Sequence, residues 1–357
     1  MTKRRPSSPQ APIRLYDLDL QDLQALLKEW GQPAYRAAQL WEWLYVHLAA
    51  SVDDMTNLPA ALRQRLASDT SIDTPHPLAT VKSADGRTRK HLLRLHDGET
   101  VEAVLMYYRR RRTACISTQV GCALACPFCA TGQMGFHRDL SVGEITAQAL
   151  HFARQLRPAG KRLTNVVLMG MGEPLLNYEA SVAAIRRLSA QPGFRLGQRR
   201  ITLSTVGIVP AIKRLADEKL QTTLAISLHA ATDPLRDEMV PANKRWGLDA
   251  LFSACHDYVT KTGRRITFEW ALVEGLNDTP EQAHALAARL TGLLAHVNLI
   301  PVNPTPAYKG QVPSRDKVDA FAAELSRRHV PHTTRLRRGL DIDAGCGQLR
   351  QRHEPGV

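Results

Sequence analysis

The period of apolar and polar positions changes twice along this chain, and the changes divide it. Between residues 14 and 72 apolar positions recur at helical spacing, with Leu20, Leu23, Leu26 and Leu27 marking one helix. Pro33 stands where a second helix would begin, running through Trp41 and Leu44, and a third is expected from Pro59 to Ala67. From 78 to 108 the pattern alternates, with turn signals at Ala84-Asp85-Gly86 and His96-Asp97-Gly98. A short β-meander is expected there, with Glu102 on its last strand. From Arg112 onward strand and helix patterns take turns. Candidate strands are Thr113–Thr118, Asn165–Met169, Arg200–Ser204, Thr222–Ser227, Arg265–Leu272 and Val297–Pro301. Ser141-Val-Gly-Glu144 reads as a capping box, and so does Thr279-Pro-Glu-Gln282, with proline at the first helical position. Six such units imply a parallel sheet with right-handed crossovers. Six rather than eight points to an open, partial barrel, although a doubly wound sheet fits the same pattern. In either case function gathers at the C-terminal ends of the strands.

Charge changes the picture. The 357 residues carry a net +13, which favours a polyanionic partner. Arg109-Arg110-Arg111-Arg112 lies just before Cys115, and Arg335, Arg337 and Arg338 precede Cys346. Contacts of this kind position a nucleic acid without reading its bases. No run approaches the roughly 18 apolar residues of a membrane span, so no membrane association is expected. Residues 1–13 are polar and proline-rich and read as a disordered tail, with no secretory signal. A cytoplasmic protein is expected. No coiled-coil heptads appear, and a monomer is expected.

Three of the six cysteines stand together in Cys122-Ala-Leu-Ala-Cys126-Pro-Phe-Cys129. Cytosolic cysteines in such a run point to metal or catalysis rather than a disulfide framework. The spacing suits a short loop around a [4Fe–4S] cluster, with one iron left open to a small molecule. A zinc site would need a fourth ligand, and Cys115 and His137 lie outside the loop. Gly170-Met-Gly-Glu173-Pro174 follows an apolar strand, where glycines let a ligand approach the backbone. Ser204, Ser227-Leu228-His229 and Asn303 fall at the ends of successive strands and could be caps, turns or ligand contacts. Cys255 falls among apolar neighbours in an expected helix, Leu248–Lys261, and reads as core.

The cysteine loop, with Phe128 before its last cysteine, resembles the signature of radical S-adenosylmethionine enzymes. The wider run from Cys115 through Gly132-Gln-Met-Gly-Phe136 resembles the RlmN family, which methylates C2 of an adenine in 23S rRNA and in tRNA. The resemblance spans about residues 14 to 350. It implies an α/β fold, a partial (β/α)6 TIM-like radical SAM barrel over 112–340. A helical accessory domain that helps hold RNA is implied over 14–72, a β-extension over 73–111, and a C-terminal segment over 341–357. Cys122, Cys126 and Cys129 would hold the cluster. Gly172, Glu173, Ser204, Ser227, Leu228, His229 and Asn303 match positions that hold S-adenosylmethionine.

The segment Asp341-Ile-Asp-Ala-Gly-Cys346-Gly-Gln348 matches the family motif whose cysteine carries a methyl group. The implied chemistry begins with methylation of Cys346 by one S-adenosylmethionine. A second is cleaved with an electron from an external donor, and its radical takes hydrogen from that methyl. The resulting carbon radical adds to adenine C2 and links the RNA to Cys346. Glu102 matches the family's proton acceptor. Cys115 then attacks the Cys346 sulfur, forms a disulfide and frees the methylated base. The target adenine must be turned out of its stack to be reached. Three other readings fit parts of the sequence. They are a Cfr-type enzyme acting at C8, against which Pro174 argues, a metal-stabilised RNA-binding protein without catalysis, and an activase making a glycyl radical.

Overall fold

Strand order carries most of the information in this fold. The computed structural model describes residues 11–302, 308, 310–335 and 348–353; Asn303, Arg337, Arg338 and Cys346 lie outside the described residues. The strands are β1 (Ile13–Arg14), β2 (Thr70–Ser71), β3 (His76–Lys82), β4 (Thr88–Arg94), β5 (Thr100–Tyr107), β6 (Arg112–Ile116), β7 (Gln119–Gly121), β8 (Phe136–Asp139), β9 (Asn165–Leu168), β10 (Ile201–Thr205), β11 (Thr223–Ser227), β12 (Ile266–Leu272), β13 (Ala295–Pro301) and β14 (His332–Thr334). Ten of them form one sheet in the order β14-β13-β12-β11-β10-β9-β6-β5-β4-β3. From β6 to β14 every pairing is parallel, and from β3 to β6 every pairing is antiparallel.

The order never reverses between β9 and β14, so the doubly wound alternative fails. A doubly wound sheet needs a switch point, and right-handed crossovers in one direction put the helices on one face. The sheet does not close, since β14 and β3 are opposite edges. Each expected strand from residue 113 to 301 is present with its ends shifted by no more than two residues. The meander is hydrogen-bonded directly onto β6, the first strand of the partial barrel. A seventh parallel strand, β14, was not expected. It has three residues, His-Thr-Thr, too few and too polar for an alternating pattern to register.

The helices are α1 (Leu20–Glu29), α2 (Tyr35–Glu42), α3 (Ala60–Asp69), α4 (Ala130–Gln133), α5 (Val142–Leu156), α6 (Tyr178–Ser189), α7 (Val209–Asp217), α8 (Asp233–Met239), α9 (Leu248–Thr262), α10 (Pro280–Arg289), α11 (Arg315–Arg327) and α12 (Gln348–His353). The Ser141 box at α5 is complete, with Glu144 N–H on the Ser141 hydroxyl and Ser141 N–H on the Glu144 carboxylate. At α10 only half of the expected box forms. Thr279 caps Gln282 N–H, while the Gln282 side chain turns to accept Ala231 N–H. Tertiary contact overrides the local motif there.

Leu23 and Leu27 of α1 join Leu15, Tyr16, Leu40, Trp41 and Leu44 in a separate N-terminal core. Burying each such side chain contributes about 1.5–3 kcal/mol. Ala147 and Leu150 of α5 complete that core, so the N-terminal helices dock on the barrel through α5. Ile13, at the end of the expected tail, is already paired with Thr70. Cys255 lies fully buried in α9, as its neighbours implied.

Candidate active site

The three-cysteine loop leaves the sheet just after β6 and is clamped at its base by the β7–β8 hairpin. Gly121 has φ +79°, and a Cβ there would lie 2.0 Å from the Gly135 carbonyl oxygen. Cys122 N–H donates to that same oxygen at 2.7 Å. Gly132 in α4 packs on the Cys126 backbone, where a Cβ would meet Cys126 N at 3.0 Å. The loop is therefore drawn tight by its own backbone. Burial pushes the Cys122 thiol up to about 12 and the Cys126 thiol higher still, and each is raised further by Cys129 and by Glu173. Cys122 and Cys126 are buried, and Cys129 is half-buried. Among the described residues no three donor side chains already close on one centre. Three cysteine thiols on one tight loop fit a [4Fe–4S] cluster with one iron open. His137, the possible zinc ligand, is engaged by the Glu99 carboxylate at 3.0 Å.

The glycines after β9 also permit a close approach of two backbone segments. A Cβ on Gly170 would meet the Ser117 hydroxyl at 2.6 Å, and one on Gly172 would meet Gln119 Cβ at 2.5 Å. The loop can lie on the chain following β6 only because both positions lack a side chain. Glu173 is 3% exposed, and burial raises its carboxyl to about 7. Its two oxygens accept Leu175 N–H at 3.0 Å and Val206 N–H at 2.9 Å. Glu173 therefore ties the loop after β9 to the loop after β10, beside the cluster thiols.

Arg236, 1% exposed, ties the next loops together. It donates to Leu228 O at 3.1 Å, to Val206 O at 2.5 Å and to Asn243 Oδ1 at 2.8 Å. His229 follows in the left-handed region at φ +60°. Asn277 holds it there by donating to His229 O at 2.7 Å. Burial pushes the His229 ring down to about 3, with Arg236 adding to the effect. Its Nδ1 accepts Ala271 N–H at 2.9 Å, so the neutral ring carries its proton on Nε2. Phe128 meets this ring edge to face at 4.9 Å between centroids. Ser204 and Ser227, from neighbouring strands, bring their hydroxyls to 3.4 Å.

A second cluster lies on β4, β5 and β6. Register places Lys90 opposite Val104 and Val104 opposite Cys115, so all three share one face of the sheet. Glu102, two residues before Val104, projects from that same face. His91 projects from the other, against His151 and Phe152 of α5. Glu102 is 2% exposed, which excludes a solvent-facing strand carboxylate. Lys90 Nζ lies 2.8 Å from Glu102 Oε2, and Arg350 N–H donates to Oε1 at 2.7 Å. Arg350 also reaches Glu99 at 2.9 Å. Helix α12, which begins two residues after Cys346, thus packs on β5 and on α4. Cys115 is a free, buried thiol, and no disulfide joins the described residues.

Arg109, Arg110 and Arg111 are exposed beside this face, with Arg111 stacked over Tyr108 at 4.9 Å. Sequence reasoning missed Lys90, Arg236 and Asn277. Asn277 sits in Gly275-Leu-Asn-Asp-Thr279, which reads only as a turn before a helix cap. No described helix is long and apolar enough to cross a membrane.

An open parallel barrel with a three-cysteine loop after its first strand defines a radical SAM enzyme. The family model for the radical SAM superfamily matches residues 116–286, and that for the ribosomal RNA large subunit methyltransferase N-terminal domain matches 13–72. Dual-specificity RNA methyltransferase RlmN 1 of Myxococcus xanthus is 52% identical over 336 residues, 94% of each chain. The probable RlmN of Chloroflexus aurantiacus is 48% identical over 95% of this chain and 93% of its own. The crystal structure of a radical SAM methyltransferase from Sphaerobacter thermophilus matches with TM-score 0.92 and 49% identity, covering 94% of this chain and 99% of that one. The chain belongs to the RlmN family of methyltransferases.

Proposed function

We propose that this protein forms 2-methyladenosine in 23S rRNA and in tRNA, acting as a cytoplasmic monomer on RNA gripped by its basic rim and N-terminal helices. Cys122, Cys126 and Cys129 would hold a [4Fe–4S] cluster. Gly172, Glu173, Ser204, Ser227, Leu228, His229 and Asn303 would hold S-adenosylmethionine. When bound and reduced by an external electron donor, these groups supply a carbon radical, which an electron-poor carbon between two ring nitrogens requires.

The chain's own residues do the rest. Cys346 carries the methyl group and becomes the point of attachment to RNA; the thiolate is the competent nucleophile for accepting it. Glu102 takes the proton that leaves adenine C2, while the adduct's unpaired electron would return to the cluster. Cys115 attacks the Cys346 sulfur, the carbon–sulfur bond to the base breaks, and a Cys115–Cys346 disulfide remains for an external thiol to reduce. One observation carries this reading. Glu102 and Cys115 share a buried face of the sheet, and Arg350 N–H ties to Glu102 the helix that begins just after Cys346.

Anaerobic incubation of the reconstituted protein with rRNA and tRNA separately, read by nucleoside mass spectrometry, tests the reading. Production of 2-methyladenosine is expected on both RNAs. Formation of 8-methyladenosine alone would show the Cfr-type reaction instead. Cys346→Ala is expected to abolish methylation while sparing cleavage of S-adenosylmethionine. Cys115→Ala is expected to accumulate a protein–RNA adduct; an unlinked, fully methylated product would refute its role.

A further inference from the structure

Lys90 is completely buried, and its ammonium meets a carboxylate that is itself 2% exposed. Such a pair adds little net stability. Taking two charges out of water costs about what their attraction returns, and packed apolar side chains of equal volume do as well or better. On the same face, Leu92 opposite Glu102 and Val104 opposite Lys90 are buried and apolar, and the site could have been apolar throughout. What the pair supplies is direction. Lys90 holds Oε2 at 2.8 Å while Arg350 N–H holds Oε1 at 2.7 Å, so the carboxylate is gripped at both oxygens. The two grips come from opposite parts of the chain, β4 and α12. The cross-strand row Lys90–Val104–Cys115 sets the ammonium, the carboxylate and the thiol on one face.

We infer that Lys90 is a positioning residue for Glu102: it aims the carboxylate at the departing proton and, through it, seats helix α12. The inference rests on the reading of Glu102 as proton acceptor. On this inference Lys90 acts through the Glu102 carboxylate. Its removal should therefore slow one late step and leave the earlier ones running.

Lys90→Met keeps the shape and removes the charge. The reconstituted Lys90→Met protein should form 5′-deoxyadenosine and methylate Cys346 within about twofold of the parent. Release of methylated RNA should fall roughly 100-fold, the scale of a general base lost, and a covalent protein–RNA adduct should build up on denaturing gels. Adding propylammonium to Lys90→Ala should restore part of the release rate, which a purely structural role would not allow. In the protein without its cluster, hydrogen exchange at the Arg350 amide should quicken in Lys90→Met. Release from Lys90→Met at the parent rate overturns the inference. So does equal loss of cleavage, Cys346 methylation and release without amine rescue, which would mark Lys90 as structural. Glu102→Gln separates the two claims. If it releases product like the parent, the proton-acceptor reading itself fails. If it traps adduct while Lys90→Met does not, only the role of Lys90 fails.

Discussion

The carboxylate of Glu173 accepts the backbone N–H of Val206 at 2.9 Å, joining two loops that are separate in sequence by 33 residues. Its other oxygen accepts Leu175 N–H. Glu173→Ala would leave both buried donors without partners, at about 1–3 kcal/mol each. The urea midpoint of the metal-free protein should fall accordingly. An unchanged midpoint would mean that the carboxylate does not brace the loops.

Gly172 should tolerate no side chain. Its φ of +97° is in the left-handed region, and a Cβ would press on Gln119 at 2.5 Å. Gly197 meets nothing within 4 Å and has no positive φ. Gly172→Ala is expected to destabilise by more than about 1 kcal/mol and Gly197→Ala by less than half as much. Paired thermal melts of the two variants decide this, and equal shifts would contradict it.

Two buried histidines, His91 and His229, and the half-buried His151 set the acid limit of stability. Burial, with a neighbouring His151 for the first and Arg154 for the second, pushes His91 and His151 down to about 4. His229 falls to about 3. Each binds a proton more readily when unfolded, where its value is ordinary, near 6.5. Their contribution is therefore complete above pH 6.5 and is lost as pH falls towards 4 and 3. Each can add up to about 1.4 kcal/mol per pH unit to the slope. In urea titrations from pH 7 to 4, His91→Leu should lose stability more gently than the parent. Parallel curves would show that His91 is already charged in the fold.

The cysteine loop should keep its shape without metal. Gly121, Gly135 and Cys122 close it through backbone contacts, and Gly132 packs on Cys126. Removing iron and sulfide should leave the far-ultraviolet circular dichroism unchanged. Alanine at Cys122, Cys126 or Cys129 should each abolish iron binding on reconstitution. Full iron content in any one of them would remove that residue from the ligand set.

Much of the architecture was readable because it is periodic. Six parallel strands, the helix caps at Ser141 and Thr279 and the helical N-terminal region all follow from local spacing. Features without a local period escaped. β14 has three residues. The β7–β8 clamp works through Gly121 and Gly135, which look like ordinary loop glycines. Gly170 and Gly172 stood out as glycines after a strand, but their close approach to Ser117 and Gln119 has no local signal.

By itself, the order of residues determined the spacing of the three thiols, the parallel strand–helix repeat and the positive charge, because each depends on positions close along the chain. Only the tertiary structure decided which charged side chains leave water. Lys90 and Glu102 flank the predicted His96-Asp97-Gly98 turn, but their register and burial are not written there, and Glu102 meets Arg350 across 248 residues. Burial and pairing at such separations arise when strands come side by side, and no local pattern carries them.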